Sequence, residues 1–376
     1  MKRVKYLTDV KKIPFLSSEE KKVASKVSER FVFRTTDYYL NLIDWSNPSD
    51  PLRRIAIPFS EELQTWGYID PSKEHLYTVV PGLEHKYKDT ALFLVTDICF
   101  GYCRFCFRKR LFMKDHDEKL KDYTAAFDYI KEHSEIINVL LTGGDPMILS
   151  TTKLRKIIEQ LRKIDHVKNI RIGTKMLAYN PYRVLDDPEL VEMLKEFSYK
   201  DKRIYIVNDI NHPREITDAT REATDVLLKA GLILINQTPL LRYINDDPQI
   251  LSDLFKQLSQ MGVPPYYVFI NRPVVGNSPF AVPIEEAWLI FEKAKTSLSG
   301  LERRPKLVMS HWTGKIEILA LTSENIIFKY QRAAKPENDG KVLIFKRNPE
   351  ALWFDDYTEP IETFSLEENK ELLQEA

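Results

Sequence analysis

Between residues 91 and 298, short apolar runs alternate with longer amphipathic stretches. The apolar runs are ALFLVTD, IINVLLTGGDP, NIRIGTK, RIYIVND, LILINQT and PYYVFIN. Each holds a strand-length core that is apolar on both faces. Helical periodicity follows from about Glu118 to His133, Thr151 to Asp165, Pro188 to Glu196, Pro213 to Ala230, Pro248 to Met261 and Pro283 to Leu298. Six β/α units of this kind predict a parallel sheet covered by helices. Periodicity alone leaves open whether the sheet curls into a partial barrel or lies open and doubly wound. In both cases chemistry collects beyond the C-terminal ends of the strands. The segments DICFGYC, TGGDP, GTK, NDINHP, NQTPLLR and INRPVVG are therefore expected to line one mouth.

The flanks differ in texture. Residues 1–90 read as a helical, irregular extension, with Ser17 or Ser18 ahead of Glu19 and Glu20 capping a helix to about Arg30 and Ser60-Glu61-Glu62 opening a shorter one. Residues 91–300 hold the β/α array. In residues 301–376 the runs KLVMSHWTGKIEILAL, NIIFKY and KVLIFKR predict the short strands of a smaller C-terminal element.

Composition excludes several classes. A chain of 376 residues that is 43% hydrophobic and 29% charged, with 12 Gly and 21 Pro, is neither disordered nor collagen-like. Lys plus Arg and Asp plus Glu are both 55, so no global field favours nucleic acid or an anionic membrane as partner. The charged start MKRVKYLTDVKK lacks the apolar stretch of a secretory signal, and no run of apolar residues is long enough to span a bilayer. A cytoplasmic protein is expected.

The three cysteines, Cys99, Cys103 and Cys106, are crowded into one loop after the first predicted strand. An odd number at this spacing does not make a disulfide framework. Arg104, Arg108, Lys109 and Arg110 lie close by, and cations stabilise thiolates and an anionic cluster alike. A structural zinc ion wants four ligands, whereas a [4Fe-4S] cluster held by three cysteines keeps one iron open for a small molecule. Buried core thiols and a zinc site are the alternatives. After the second strand, Thr142-Gly143-Gly144-Asp145-Pro146 offers close backbone approach, exposed N–H groups and an acid to a ligand. A plain strand-to-helix turn would use the same residues.

The CxxxCxxC loop at the head of a β/α array resembles the radical SAM superfamily. TDICFGYCRFCFRKR, LLTGGDP, RIGTK, NHPREIT, AGLILINQTPLLR and PYY, together with the text from Tyr38 to Pro58, are similar in order to the lysine 2,3-aminomutase family. The resemblance runs from about residue 35 to 320. It implies a partial (β/α)6 TIM-like barrel with three cofactors: a [4Fe-4S] cluster on Cys99, Cys103 and Cys106, S-adenosylmethionine, and pyridoxal 5′-phosphate. By the same likeness Gly143, Gly144 and Asp145 hold the methionine end of S-adenosylmethionine, with His212 and Gln237 as further contacts. Lys315, in His311-Trp312-Thr313-Gly314-Lys315, matches the family's Schiff-base lysine, although the family's turn is richer in glycine. Lys86 and Tyr87 match the cofactor-phosphate pair, and Tyr267 is expected at the pyridine ring. A second arginine of the phosphate site is here Thr90. An electron donor such as flavodoxin or ferredoxin is implied as partner. The family's longer members bind zinc through C-terminal cysteines; this chain has none, so zinc is not expected, while a homo-oligomer stays open.

The implied activity is an isomerase that moves the α-amino group of an amino acid to the β-carbon. Arg108 matches the arginine that clamps the substrate α-carboxylate, a task suited to a guanidinium fork. The lysine-using enzymes place an acid after PYY and another ahead of the Schiff-base lysine. Here the first is Arg272, and no acid lies from Val308 to Ser310. A cation facing a substrate ammonium is costly in a dry site, so the reading favours glutamate, then aspartate. Were Arg272 to face solvent, a neutral side chain would be open. The rival readings are lysine itself, a lysine of elongation factor P, and a non-catalytic metal-binding module.

Overall fold

The computed structural model describes residues 4–113 and 122–365. Near the start, β1 (Tyr6–Leu7) and β2 (Thr35–Thr36) form a small antiparallel ladder. The expected helix between them runs from Ser18 to Arg30. Ser17 accepts from the backbone of Glu20 and Glu20 reaches back to that of Ser17, a reciprocal cap.

All other strands of the described residues belong to one sheet of 13 strands in strict chain order. They are β3 (Thr78–Val80), β4 (Leu83–Tyr87), β5 (Thr90–Thr96), β6 (Asn138–Gly143), β7 (Asn169–Thr174), β8 (Ile204–Asn208), β9 (Ile233–Leu240), β10 (Pro265–Ile270), β11 (Lys306–His311), β12 (Gly314–Leu321), β13 (Asn325–Ala333), β14 (Val342–Lys346) and β15 (Glu362–Phe364). From β5 to β11 every pairing is parallel; β3 and β4 on one side and β12 to β15 on the other pair antiparallel. A doubly wound sheet needs a point where strand order reverses. This order never reverses, so the crossover helices stack on one face and the parallel sheet curls around the other as a partial barrel.

All six expected strands are present. The helices follow the expected spans closely: Thr151–Arg162, Pro188–Glu196, Pro248–Gln260 and Ile284–Lys295. Two differ. The helix before β6 covers Thr124–Glu132, and its expected start at Glu118 lies outside the described residues. The stretch expected as one helix from Pro213 to Ala230 is a short 3-10 turn, Pro213–Glu215, followed by a separate helix Asp218–Lys229 capped by Thr217. A hydroxyl that accepts from the N–H of Thr220 opens a new helix instead of continuing an old one. No helix of the described residues is long and apolar enough to cross a membrane.

Strand alternation positions the site. In β9, Leu234, Asn236, Thr238 and Leu240 are buried, while Ile233, Ile235, Gln237 and Pro239 are half-buried. In β7 the half-buried set includes Arg171 and Gly173. Gln237, Pro239, Arg171 and Gly173 all line the hollow inside the curl. A side-chain period of two thus sends one set to the helices and the other to the lumen.

Candidate active site

The lumen is a cavity of about 500 Å³. It reaches from the cysteine loop beyond Thr96, at the C-terminal end of β5, to Thr90 at its start. At 3.3 Å per residue that strand spans about 20 Å, room for two ligands end to end. Cys99, Cys103, Cys106, Gly143, Gly144, Asp145, Gln237, Lys86, Tyr87, Tyr267, Lys315, Arg108 and Arg272 all line it. His212 does not. Its ring accepts from the N–H of Arg214 at 3.1 Å and caps the Pro213–Glu215 turn. This cap occupies only Nδ1 of the buried ring, and a cofactor contact by His212 is an expectation from the resemblance alone.

The cysteine loop is held by buried ions. Arg104 donates to both carboxylate oxygens of Glu62 at 2.7–3.1 Å and to the carbonyls of Phe31 and Val32. Lys109 lies 3.6 Å from the same carboxylate and donates to the carbonyl of Gly276. Glycines pack the loop from the other side. A Cβ on Gly101 would stand 2.2 Å from the Tyr179 ring, and one on Gly144 would stand 2.4 Å from the carbonyl of Ile98. The N–H of Gly144 donates to Thr96 at 2.6 Å and that of Asp145 to Ile98 at 2.8 Å. Here the paired glycines admit backbone.

Burial pushes all three thiols up, and the cations around them, Arg34 at Cys99, Lys175 at Cys103, Lys109 and Arg108 at Cys106, pull the other way. Among the described residues no three His, Cys, Asp or Glu groups are arranged to hold a single metal ion. Three thiols from one loop line the cavity, and three cysteine ligands fit a cluster that keeps one iron open. Tyr179 stands behind Cys103, its hydroxyl 3.8 Å from the sulfur. Asp145 has a carboxyl raised to about 6 by burial. Its oxygens accept from Met147 N, Thr174 Oγ1 and Lys175 N at 2.7–3.0 Å.

At the other end Lys315 reaches over Tyr267, its Nζ 3.9 Å from the ring centre. Burial lowers its pKa to about 7, helped by the charges of Arg171, Arg332, Arg272 and Lys86. A buried amine that is half unprotonated at neutral pH is the state needed to attack an aldehyde. Lys86, also brought to about 7 by burial, donates to the carbonyl of His311. Tyr267 donates to Gln331 at 2.8 Å.

Between the two ends lies a charge cluster whose acids, Glu74 and Glu84, sequence reading missed. Arg108 donates to both oxygens of Glu74 at 2.9 and 3.2 Å and to Thr142 Oγ1 at 3.3 Å. Arg110 pairs with Glu74 as well. Burial works to raise the Glu74 carboxyl, but these guanidiniums hold it well below the usual range. Its neighbour Glu84, buried in β4, goes the other way: burial and the Glu74 charge lift it to about 8. Arg272 does not face solvent. Its guanidinium lies 3.7 Å over Phe107, donates to Ser72 Oγ at 2.7 Å and stands 3.9 Å from Glu74.

Comparison with known proteins gives the class first. Residues 93–254 match the model of the radical SAM superfamily. The chain is also 55% identical over 359 residues to an Aquifex aeolicus protein named provisionally as an L-lysine 2,3-aminomutase, covering 95% of this chain and 96% of that one. It is 36% identical to the L-lysine 2,3-aminomutase of Acetoanaerobium sticklandii, over 79% of this chain and 71% of the other. To the glutamate 2,3-aminomutase of Clostridioides difficile it is 35% identical, over 78% and 70%. The chain therefore belongs to the lysine 2,3-aminomutase family of radical SAM enzymes, and it is an isomerase, not a non-catalytic metal module. Radical SAM membership implies a [4Fe-4S] cluster and S-adenosylmethionine, and pyridoxal phosphate is typical of lysine aminomutases. Lysine and glutamate enzymes resemble the chain almost equally, so the comparisons do not support the glutamate preference drawn from Arg272.

Proposed function

We propose that the protein is a 2,3-aminomutase of a free L-α-amino acid, and that the amino acid is lysine. The observation that carries this reading is the single cavity shared by three thiols, Arg108 and Lys315. When bound there, the cluster with S-adenosylmethionine supplies a radical able to take hydrogen from the substrate β-carbon, and pyridoxal phosphate supplies the carbonyl carbon that carries the amino group as it moves. The chain supplies position, charge and dryness. Cys99, Cys103 and Cys106 would hold the cluster. Lys315, neutral in part near pH 7, would tether pyridoxal phosphate against Tyr267. Arg108 uses three of its five N–H groups on Glu74 and Thr142, which leaves two for a substrate carboxylate. Leu92, Leu140, Val207 and Phe269 add apolar wall that keeps water from a radical.

Lysine is supported by the name carried by the relative at 55% identity and by Glu84. The absence of an acid after PYY is offset, because β4 brings Glu84 into the same cavity as Arg272. A carboxyl poised at about 8 would ionise when an ammonium arrives and hold it. Glutamate remains a second reading for one reason: the Arg272 guanidinium lines the cavity, where it could receive a distal carboxylate. The test is anaerobic reconstitution with a reductant, S-adenosylmethionine and pyridoxal phosphate, followed by a panel of L-α-amino acids read by mass spectrometry. β-Lysine is the expected product, with a raised KM for lysine in Glu84→Gln. Formation of β-glutamate without β-lysine overturns the lysine reading.

A further inference from the structure

Four cationic side chains meet at the end of the cavity away from the cysteines: Lys86, Arg171, Lys315 and Arg332. Lys315 in β12 and Arg332 in β13 are directly opposed across the antiparallel ladder, so their side chains leave the same face. The ladder slips at the next position, where Ile316 faces Tyr330. This bulge turns two consecutive residues, Gln331 and Arg332, toward the lumen. Gly314 makes the hairpin close enough, since a Cβ there would meet the Arg332 carbonyl at 2.5 Å.

Arg332 is aimed at the first turn of the barrel. Its Nη1 donates to Thr90 Oγ1 at 3.2 Å, its guanidinium carbon lies 4.4 Å over the Tyr87 ring, and it pairs with Asp89 at the rim. Arg171 projects from β7 into the same space, and its Nε is buried without a hydrogen-bond partner. Glu74 and Glu84 act on Lys86 from the substrate side, but Glu74 is already taken by Arg108 and Arg110. Clustered positive charge and an unpaired guanidinium nitrogen in a sheltered space are costly unless an anion joins them. The anion that fits has two charges and several acceptor oxygens, as a phosphate monoester does.

We infer that Arg332, with Arg171 behind it, is the grip for the cofactor phosphate, and that it takes the place of the arginine missing where this chain has Thr90. The tethering lysine and the phosphate clamp then sit side by side on one hairpin, and the C-terminal strands complete the cofactor site. Arg332 is 32% exposed at its side chain, open enough to exchange Asp89 for a ligand.

This inference rests on the pyridoxal phosphate reading, and the experiment separates the two. Full-length protein is titrated with pyridoxal 5′-phosphate and with pyridoxal, which has the same aldehyde and no phosphate; borohydride trapping and mass analysis of the Lys315 peptide report occupancy. Arg332→Ala is expected to weaken pyridoxal phosphate about 10- to 100-fold and to leave pyridoxal unchanged. Arg332→Lys should fall between, and Thr90→Arg in the Arg332→Ala background should recover much of the loss. A folding defect would lower both ligands together, so the ratio of the two affinities is the readout. An unchanged ratio in Arg332→Ala overturns the assignment and leaves the cofactor reading intact. Calorimetry with inorganic phosphate covers the converse: wild-type protein without a Lys315 adduct, yet with phosphate binding that Arg332→Ala abolishes, keeps the anion site and refutes the cofactor reading. Absence of both signals in wild type overturns both.

Discussion

Arg104 and Glu62 form a bidentate ion pair whose side chains are 2% and 0% exposed, and the cysteine loop hangs on it. Glu62 comes from a 3-10 turn in the N-terminal region and Arg104 from between two cysteines. The N-terminal region thereby helps to hold the cysteine loop in place.

Removing one partner of such a pair leaves a charge buried and uncompensated. Glu62→Ala should cost about 3–5 kcal/mol of stability, read as a lower urea midpoint. It should also lower the iron taken up on anaerobic reconstitution, because the loop between Cys103 and Cys106 loses its anchor.

The glycines make a second prediction. Gly144→Ala places a Cβ against the Ile98 carbonyl, a backbone atom that cannot swing away. A loss of about 1–3 kcal/mol is expected, together with poor cluster retention. Gly173→Ala is the control: its Cβ would find ordinary contacts from 3.7 Å outward, and its urea midpoint should stay close to that of wild type.

Lys315 should betray its depressed pKa. Trapping of pyridoxal phosphate on Lys315 should rise with pH around a midpoint near 7, not near the 10.5 of an ordinary lysine. The same shift acts on folding. Between about 7 and 10.5 the unfolded chain keeps a proton that the native amine has released, so stability gains with rising pH in that window. Lys315→Met should remove that gain, as urea midpoints across the window will report.

Glu84 shifts in the opposite sense. Its native carboxyl keeps a proton to about 8, whereas the unfolded one loses it near 4.5. The native state holds more protons between those values, so this residue's contribution falls as pH rises through them. Glu84→Gln should flatten the decline in urea midpoint measured from acid to mildly basic pH.

Much of the barrel was legible because its signals are local. Strand length, helical period and proline at helix starts marked the six β/α units, and the spacing of three cysteines marked a loop that lines the cavity. What was not legible depends on closure of the chain over long distances. Glu84 falls in the stretch read as a helical, irregular extension, and only the β4–β5 pairing buries it in the lumen. Gln331 and Arg332 lie just past the predicted run NIIFKY, and the bulge that turns both inward is a property of register. Arg171 left a trace, a cation set between two isoleucines in NIRIGTK. His212 carries a local duty that its place after β8 did not announce: its Nδ1 accepts from a backbone N–H two residues on.

An enzyme that moves an amino group between adjacent carbons inside one cavity keeps that nitrogen on its substrate throughout. The most direct measurement uses reconstituted enzyme containing about four irons per chain, reductant, S-adenosylmethionine, pyridoxal phosphate and L-lysine labelled with 15N at the α-amino group. β-Lysine is expected with the 15N bonded to the β-carbon, seen by carbon–nitrogen coupling in the NMR spectrum, and no such product from Lys315→Ala. Enzyme loaded with all three cofactors that leaves every α-amino acid offered unchanged, or frees the label as ammonia, would contradict it.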